Sequence, residues 1–146
     1  MKKGHLIFLH EKEDNAPITI NAEYMMMALR NEDGDATHIV MYDYLENVMF
    51  EETDVVVNET PEKIFNMLPN DGNFLLLHLA EDNHNIVINA GYIMVCRKDD
   101  DSTLINLTAS ESLHVHETPM TIHNIVTTGR QYDKKAKKQT TKEEKK

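Results

Sequence analysis

Two stretches of this chain spell out the same succession of residue types. Leu6-Ile7-Phe8-Leu9-His10, Ile18-Thr19-Ile20-Asn21-Ala22-Glu23-Tyr24-Met25-Met26 and Glu59-Thr60-Pro61 with Ile64 match, in order, Phe74-Leu75-Leu76-Leu77-His78, Ile86-Val87-Ile88-Asn89-Ala90-Gly91-Tyr92-Ile93-Met94 and Glu117-Thr118-Pro119 with Ile122. The offset is 68 residues from His10/His78 through Met26/Met94 and 58 at Glu59/Glu117, so the first copy carries a net insertion of ten residues between Arg30 and Val57. Self-similarity of this kind predicts two related modules in tandem, residues 1–69 with the insertion near 42–54 and residues 70–130. A unit of about 55 to 65 residues is only marginally stable alone, so the two are expected to lean on each other.

Local signals assign the elements. Leu6 to Leu9 is a short apolar run bounded by the polar turn Glu11 to Pro17, which reads as a buried strand. Ile18-Thr19-Ile20-Asn21 alternates with period two, and Tyr24 to Leu29 is a second apolar stretch beyond the Asn21-Ala22-Glu23 corner. Asp33-Gly34 suits a hairpin turn, because both residues tolerate positive φ, and Thr37 to Tyr42 is the returning strand. Val55-Val56-Val57 is β-branched and short. Thr60-Pro61-Glu62 opens a helix, with Thr as the N-cap, Pro at the first helical position and an acid in the first turn. The second copy repeats the plan through Phe74 to Leu79, Ile86 to Ile88, Tyr92 to Arg97, Leu104 to Leu107 and Leu113 to Val115, with Thr118-Pro119 capping its helix and Gly129 ending it.

The fold class expected is therefore α+β and β-dominated: two small modules, each of about five short strands closed by a C-terminal helix. Partly closed barrels are the preferred arrangement, since closure removes strand edges; one continuous sheet through both modules is the alternative.

Each copy resembles the FlbD/SwrD-type small flagella-associated proteins on Asn21, Ala22, Glu59 and Thr60, and again on Asn89, Ala90, Glu117 and Thr118. That resemblance implies a small accessory protein rather than a catalyst.

Charge is divided along the chain. Residues 1 to 130 hold 8 Lys and Arg against 22 Asp and Glu, whereas residues 131 to 146 hold 7 Lys against 3 acids. The last segment has no large apolar residue except Tyr132, and is expected to be a disordered lysine-rich tail. An acidic body repels phosphate, so nucleic acid is not expected as a partner except through that tail. No apolar run approaches the ~20 residues that span a bilayer, and one cysteine excludes an internal disulfide; a cytoplasmic protein without membrane contact is expected.

No catalytic motif stands out. His114 and His116 lie two apart on a strand and share a face, with His123 as a third imidazole, but a closed zinc site wants four ligands and the first copy has Val56 and Asn58 at the paired positions. The loop from Asn31 fails the calcium-loop pattern at Ala36 and Tyr42. Cys96 aligns with Ala28 and reads as a small apolar position. Neither cofactor nor metal is expected. Met26 and Met94 are expected to cover a surface between modules or toward a partner.

These readings predict a non-enzymatic interaction or assembly protein that binds a protein partner or self-associates. The contact is placed on the insertion, at Tyr42, Tyr44, Leu45, Met49 and Phe50, because a segment that only one copy possesses is not needed for the shared scaffold. The alternatives are a small-ligand-binding protein, of phage or mobile-element type, using a cleft between modules, and a nucleic-acid contact through the tail.

Overall fold

A computed structural model of the chain describes residues 5–31, 33–43, 48–49 and 55–129. In chain order these form β1 (Leu6–His10), β2 (Pro17–Asn21), β3 (Met25–Arg30), β4 (Thr37–Asp43), β5 (Val48–Met49), β6 (Val56–Val57), α1 (Pro61–Asn66), β7 (Phe74–His78), β8 (Asn85–Asn89), β9 (Ile93–Asp99), β10 (Ser102–Leu107), β11 (Ser112–Val115) and α2 (Pro119–Thr128). The β-dominated class expected from the sequence is present, with a helix closing the described chain.

Local chemistry explains the element boundaries. Thr60 and Thr118 each accept, on Oγ1, the backbone N–H of the third residue onward, Lys63 and Thr121, and each is followed by Pro at the helix start. At both Asn-Ala corners an asparagine Oδ1 accepts the N–H two residues on, Glu23 from Asn21 and Gly91 from Asn89, which closes a single 3-10 turn between strands. The Asn31–Asp35 turn has Gly34 at φ +74°, a conformation that costs glycine nothing and that lets Arg30 face Thr37 across the hairpin.

The sheets are open, which corrects the expectation of barrels. β1 and β2 form a two-stranded hairpin; β11, β10 and β9 form a three-stranded meander; between them lies a six-stranded sheet, β5-β4-β3-β8-β7 with β6 also on β4. The central sheet takes strands from both halves of the chain. Its junction is antiparallel, Met27 opposite Ile88, Ala28 opposite Val87 and Leu29 opposite Ile86.

The reason lies in side-chain alternation. Along each central strand, one set of residues faces the β1–β2 hairpin and α1, and the other faces the β9–β11 meander and α2. The first face collects Ala28, Ile39, Phe74 and Val87 with Ile7, Leu9, Ile64 and Phe65. The second collects Met26, Val40, Tyr42, Leu75, Leu77, Ile86 and Ile88 with Ile105, Leu107, Val115 and Ile122. Strands buried on both faces must be apolar throughout, as Met25 to Leu29 and Ile86 to Ile88 are. Joining them edge to edge pairs their backbone groups and covers both faces at once; curling each half into a barrel satisfies only one face.

Among the described residues the seam between halves is therefore filled, with no cleft there of the kind that the alternative small-ligand reading called for. Ala28, Ile86, Val87 and Ile88 at the seam are wholly buried. Tyr92 reaches across from the second half, its hydroxyl donating to the carbonyls of Tyr42 at 2.9 Å and Glu23 at 3.2 Å. Among the described residues no helix is long and apolar enough to cross a membrane.

Candidate functional site

Four hairpin turns, β1–β2, β3–β4, β7–β8 and β9–β10, fall at one end of the layered sheets, and the β10–β11 turn lies at the other. Lys12 N–H donates to the Val56 carbonyl, and its Nζ lies 3.8 Å from Asp35, which joins the β1–β2 turn to the β3–β4 turn. Leu29 pairs with Ile86 at the start of β8, and Ala80 N–H donates to the His114 carbonyl, so the β7–β8 turn and the β9–β10 turn lie at the same end. This end is anionic: Glu13, Asp14, Asp33, Asp35, Glu81, Asp82, Asp99, Asp100 and Asp101 are exposed on it. Asp35 is held below the usual carboxylate range, chiefly by the Asn31 side-chain amide that donates to it, with Lys12 and Arg30 adding attraction. It therefore stays charged.

The Asn-Ala corners occupy the opposite end. Ala22 N–H donates to the His5 carbonyl and Ala90 N–H to the Asn73 carbonyl, which places the start of β1 and the start of β7 there. The C-terminus of α2 is there too, because Gly72 lies against the Val126 carbonyl and Gly129. Both ends of the described chain, His5 and Gly129, thus open onto the corner end. In the sequence, Lys2 and Lys3 precede His5, and Arg130 and the 7 lysines of residues 131 to 146 follow Gly129.

Among the described residues, however, the turn end also holds Lys12, Arg30, Arg97 and Lys98, and the corner end carries Glu23, Asp43, Asp71 and Glu111, so acids stand at both ends.

The residues singled out in the sequence are scattered. Tyr42 is buried, with its ring edge-to-face against Tyr92 at 5.7 Å, and so belongs to the packing between halves rather than to an exposed contact. Met49 lies in β5 opposite Tyr42. Tyr44, Leu45 and Phe50 lie outside the described residues, as does the lysine-rich tail. His114 Nε2 is 2.9 Å from Asp99 Oδ2, on the exposed side of the meander, while His123 projects from α2. Among the described residues no group of three or more His, Cys, Asp or Glu side chains is arranged to hold a metal ion. Burial pushes the Cys96 thiol up, the opposite of what a nucleophile needs. Met26 is wholly buried toward the second half, whereas Met94 is 66% exposed.

His10 and His78 occupy matched positions of the repeat, and the structure gives each a carboxylate partner. The Glu59 carboxylate accepts the His10 backbone N–H at 3.0 Å and lies 2.7 Å from His10 Nδ1. Glu117 repeats both contacts on His78 at 3.0 and 2.7 Å. The recurrence of His and Glu at matched positions was the signal. These clamps tie the strand before each first hairpin turn to the segment that opens each helix.

No family model and no curated protein sequence matches the chain. Among solved structures, the fold is similar to a chain described as the LytTr DNA-binding domain of a methyl-accepting/DNA response regulator from Bacillus cereus, at TM-score 0.57 and 12% identity, covering 86% of this chain and 98% of that one. At that identity the likeness establishes a shared architecture. It nevertheless corrects the expectation of an interaction or assembly protein for which nucleic acid was an alternative partner through the tail alone. The architecture is one that a DNA-binding domain uses.

Proposed function

We propose that the chain is a nucleic-acid-binding domain of LytTr-like architecture, which meets duplex DNA with the corner end, where its lysine-bearing segments are attached. The observation that carries this reading is the likeness to a DNA-binding domain over 98% of that domain's length. The Lys and Arg residues of the sequence beyond Gly129 support it, because cations that bind phosphate release condensed counterions.

The same reading takes residues 6 to 68 and 74 to 126 as two copies of one unit, fused into a single three-layered body. Its support is the recurrence, at matched positions, of the hairpin, the Asn-Ala corner, the three-stranded meander, the His–Glu clamp and the Thr-Pro helix start.

Fluorescence anisotropy with labelled duplex DNA over a salt series tests the function. Affinity should fall steeply with salt, each phosphate contact contributing a slope of about 0.9 in log–log form. Replacing the seven lysines of residues 131 to 146 with Gln should flatten that slope by several units and weaken binding to all sequences alike. Absence of binding at low salt overturns the function, and an unchanged slope in the lysine-free protein overturns the siting at the corner end.

A further inference from the structure

We infer that β9 and α2 form a docking groove for the β1–β2 hairpin of a second copy of this chain, arranged head to tail in the register that joins the two halves internally. The inference rests on the two-unit part of the reading above and not on its DNA-binding part. It also concerns different residues from the insertion contact that the sequence suggested.

The internal junction is one-sided. β3 of the first unit receives β8 of the second, whereas the counterparts of these strands, β9 and β2, are both edges: among the described residues β9 pairs only with β10, and β2 only with β1. Each unit thus has a receiving edge and a donating edge, and one of each remains unused. Such complementary, non-identical edges make a heterologous contact.

The receiving side has a matching cavity. A groove of about 610 Å³ runs between β9 and α2, lined by Ile93, Cys96, Met120, Ile122, His123 and Val126 among others. At the repeat offsets, Ile93, Cys96, Ile122, His123 and Val126 correspond to Met25, Ala28, Ile64, Phe65 and Leu68. Those five are buried in the core that Phe74, Leu76 and Val87 of the second unit complete. The groove is the same site without its filling.

The donating side carries the complement. Phe74, Leu76 and Val87 correspond to Leu6, Phe8 and Thr19. Phe74 is 3% exposed, but Leu6 and Phe8 are 69% and 56% exposed. Two large apolar side chains adjacent on one exposed strand face, and a groove whose internal twin is filled by their counterparts, identify the occupant. Met94, exposed on β9 where buried Met26 is its counterpart, lies along the same edge.

Translating the internal register gives the new one: Val95 opposite Ile20, Cys96 opposite Thr19 and Arg97 opposite Ile18 of the second copy. The outer contact is the more polar of the two, with Arg97 replacing Leu29, His123 replacing Phe65 and Thr19 replacing Val87. It is accordingly a reversible contact, where the internal one is permanent.

Two experiments on the DNA-free protein test this, so their failure is distinct from failure of DNA binding. Thr19→Cys places a thiol directly across from Cys96 of the neighbour, within disulfide reach for opposed strand residues. Mild oxidation should yield a ladder of linked species in which peptide mapping finds the introduced thiol joined to Cys96. A predominance of links between like positions, introduced thiol to introduced thiol and Cys96 to Cys96, or no linked species, overturns the register. In sedimentation velocity the wild type should associate as concentration rises, while Phe8→Asp and Val126→Asp should each be monomeric. Their equimolar mixture should form dimers and nothing larger, because one variant keeps the groove and the other keeps the hairpin. A wild type that stays monomeric, or a mixture that does not pair, overturns the contact.

Discussion

The carboxylate of Glu59 grips His10 twice, through its backbone N–H at 3.0 Å and its Nδ1 at 2.7 Å, across 49 residues of chain. Burial pushes this carboxyl up, but the hydrogen bonds from the His10 ring and backbone outweigh it, and the group titrates below its ordinary value of 4.5. A lowered folded-state value means that the clamp's stabilisation is fully present above the unfolded value and is lost as pH falls through the folded one.

Glu59→Gln should therefore lower stability by about 2 kcal/mol near pH 7, the usual cost of removing a charged hydrogen-bond partner that is largely buried. Urea unfolding measured from pH 6 down toward pH 3, the carboxylate range, should show wild type losing stability and Glu59→Gln losing less of it. Parallel curves for the two proteins would show that the carboxylate contributes nothing specific.

Tyr92→Phe removes one hydroxyl and leaves the Tyr42 carbonyl in the packed junction between halves without that donor. A cost of about 1 to 3 kcal/mol is expected in chemical denaturation. Tyr42→Ala, which opens a cavity against the Tyr92 ring, should cost more, about 3 to 5 kcal/mol. Equal effects of the two substitutions would place the importance of this contact elsewhere.

Gly72→Ala should destabilise the end of the chain's second half. Its φ is +87°, and a Cβ there meets the Val126 backbone carbonyl at 2.9 Å, an atom that moves only with α2. Conformational strain alone costs about 1 to 3 kcal/mol. Gly34→Ala, with φ +74° and nothing within 4 Å, is the control for conformation without contact and should cost less in the same thermal melts.

Thr60→Ala and Thr118→Ala each remove an N-cap oxygen that accepts a backbone N–H at 3.1 Å. About 1 kcal/mol is expected for each. Replacement by Ser, which keeps the oxygen, should recover most of the loss; failure of Ser to do so would assign the effect to the lost methyl group.

Much of the local structure was legible in the sequence, because its causes are local. Thr-Pro pairs start both helices where capping chemistry predicts, Asp33-Gly34 turns the β3–β4 hairpin, and Asn21 and Asn89 close their corners by bonding two residues ahead. The site was less legible. Tyr42 was named only as one of the insertion's contact candidates, and its partner Tyr92 is 50 residues away, so that only the folded chain brings them together.

What tertiary structure decided was which edges meet and which turns share an end. Composition marked β3 and β8 as continuously apolar, but pairing one strand with another is a non-local choice, settled by burying both faces of both strands together. The same pattern, with Arg97 and Lys98 in place of Leu29 and Arg30, leaves β9 as an edge. The register of the strands likewise gathers the β1–β2, β3–β4, β7–β8 and β9–β10 turns at one end and brings His5 and Gly129 to the other, an arrangement that no local signal carries because it depends on pairing between distant segments.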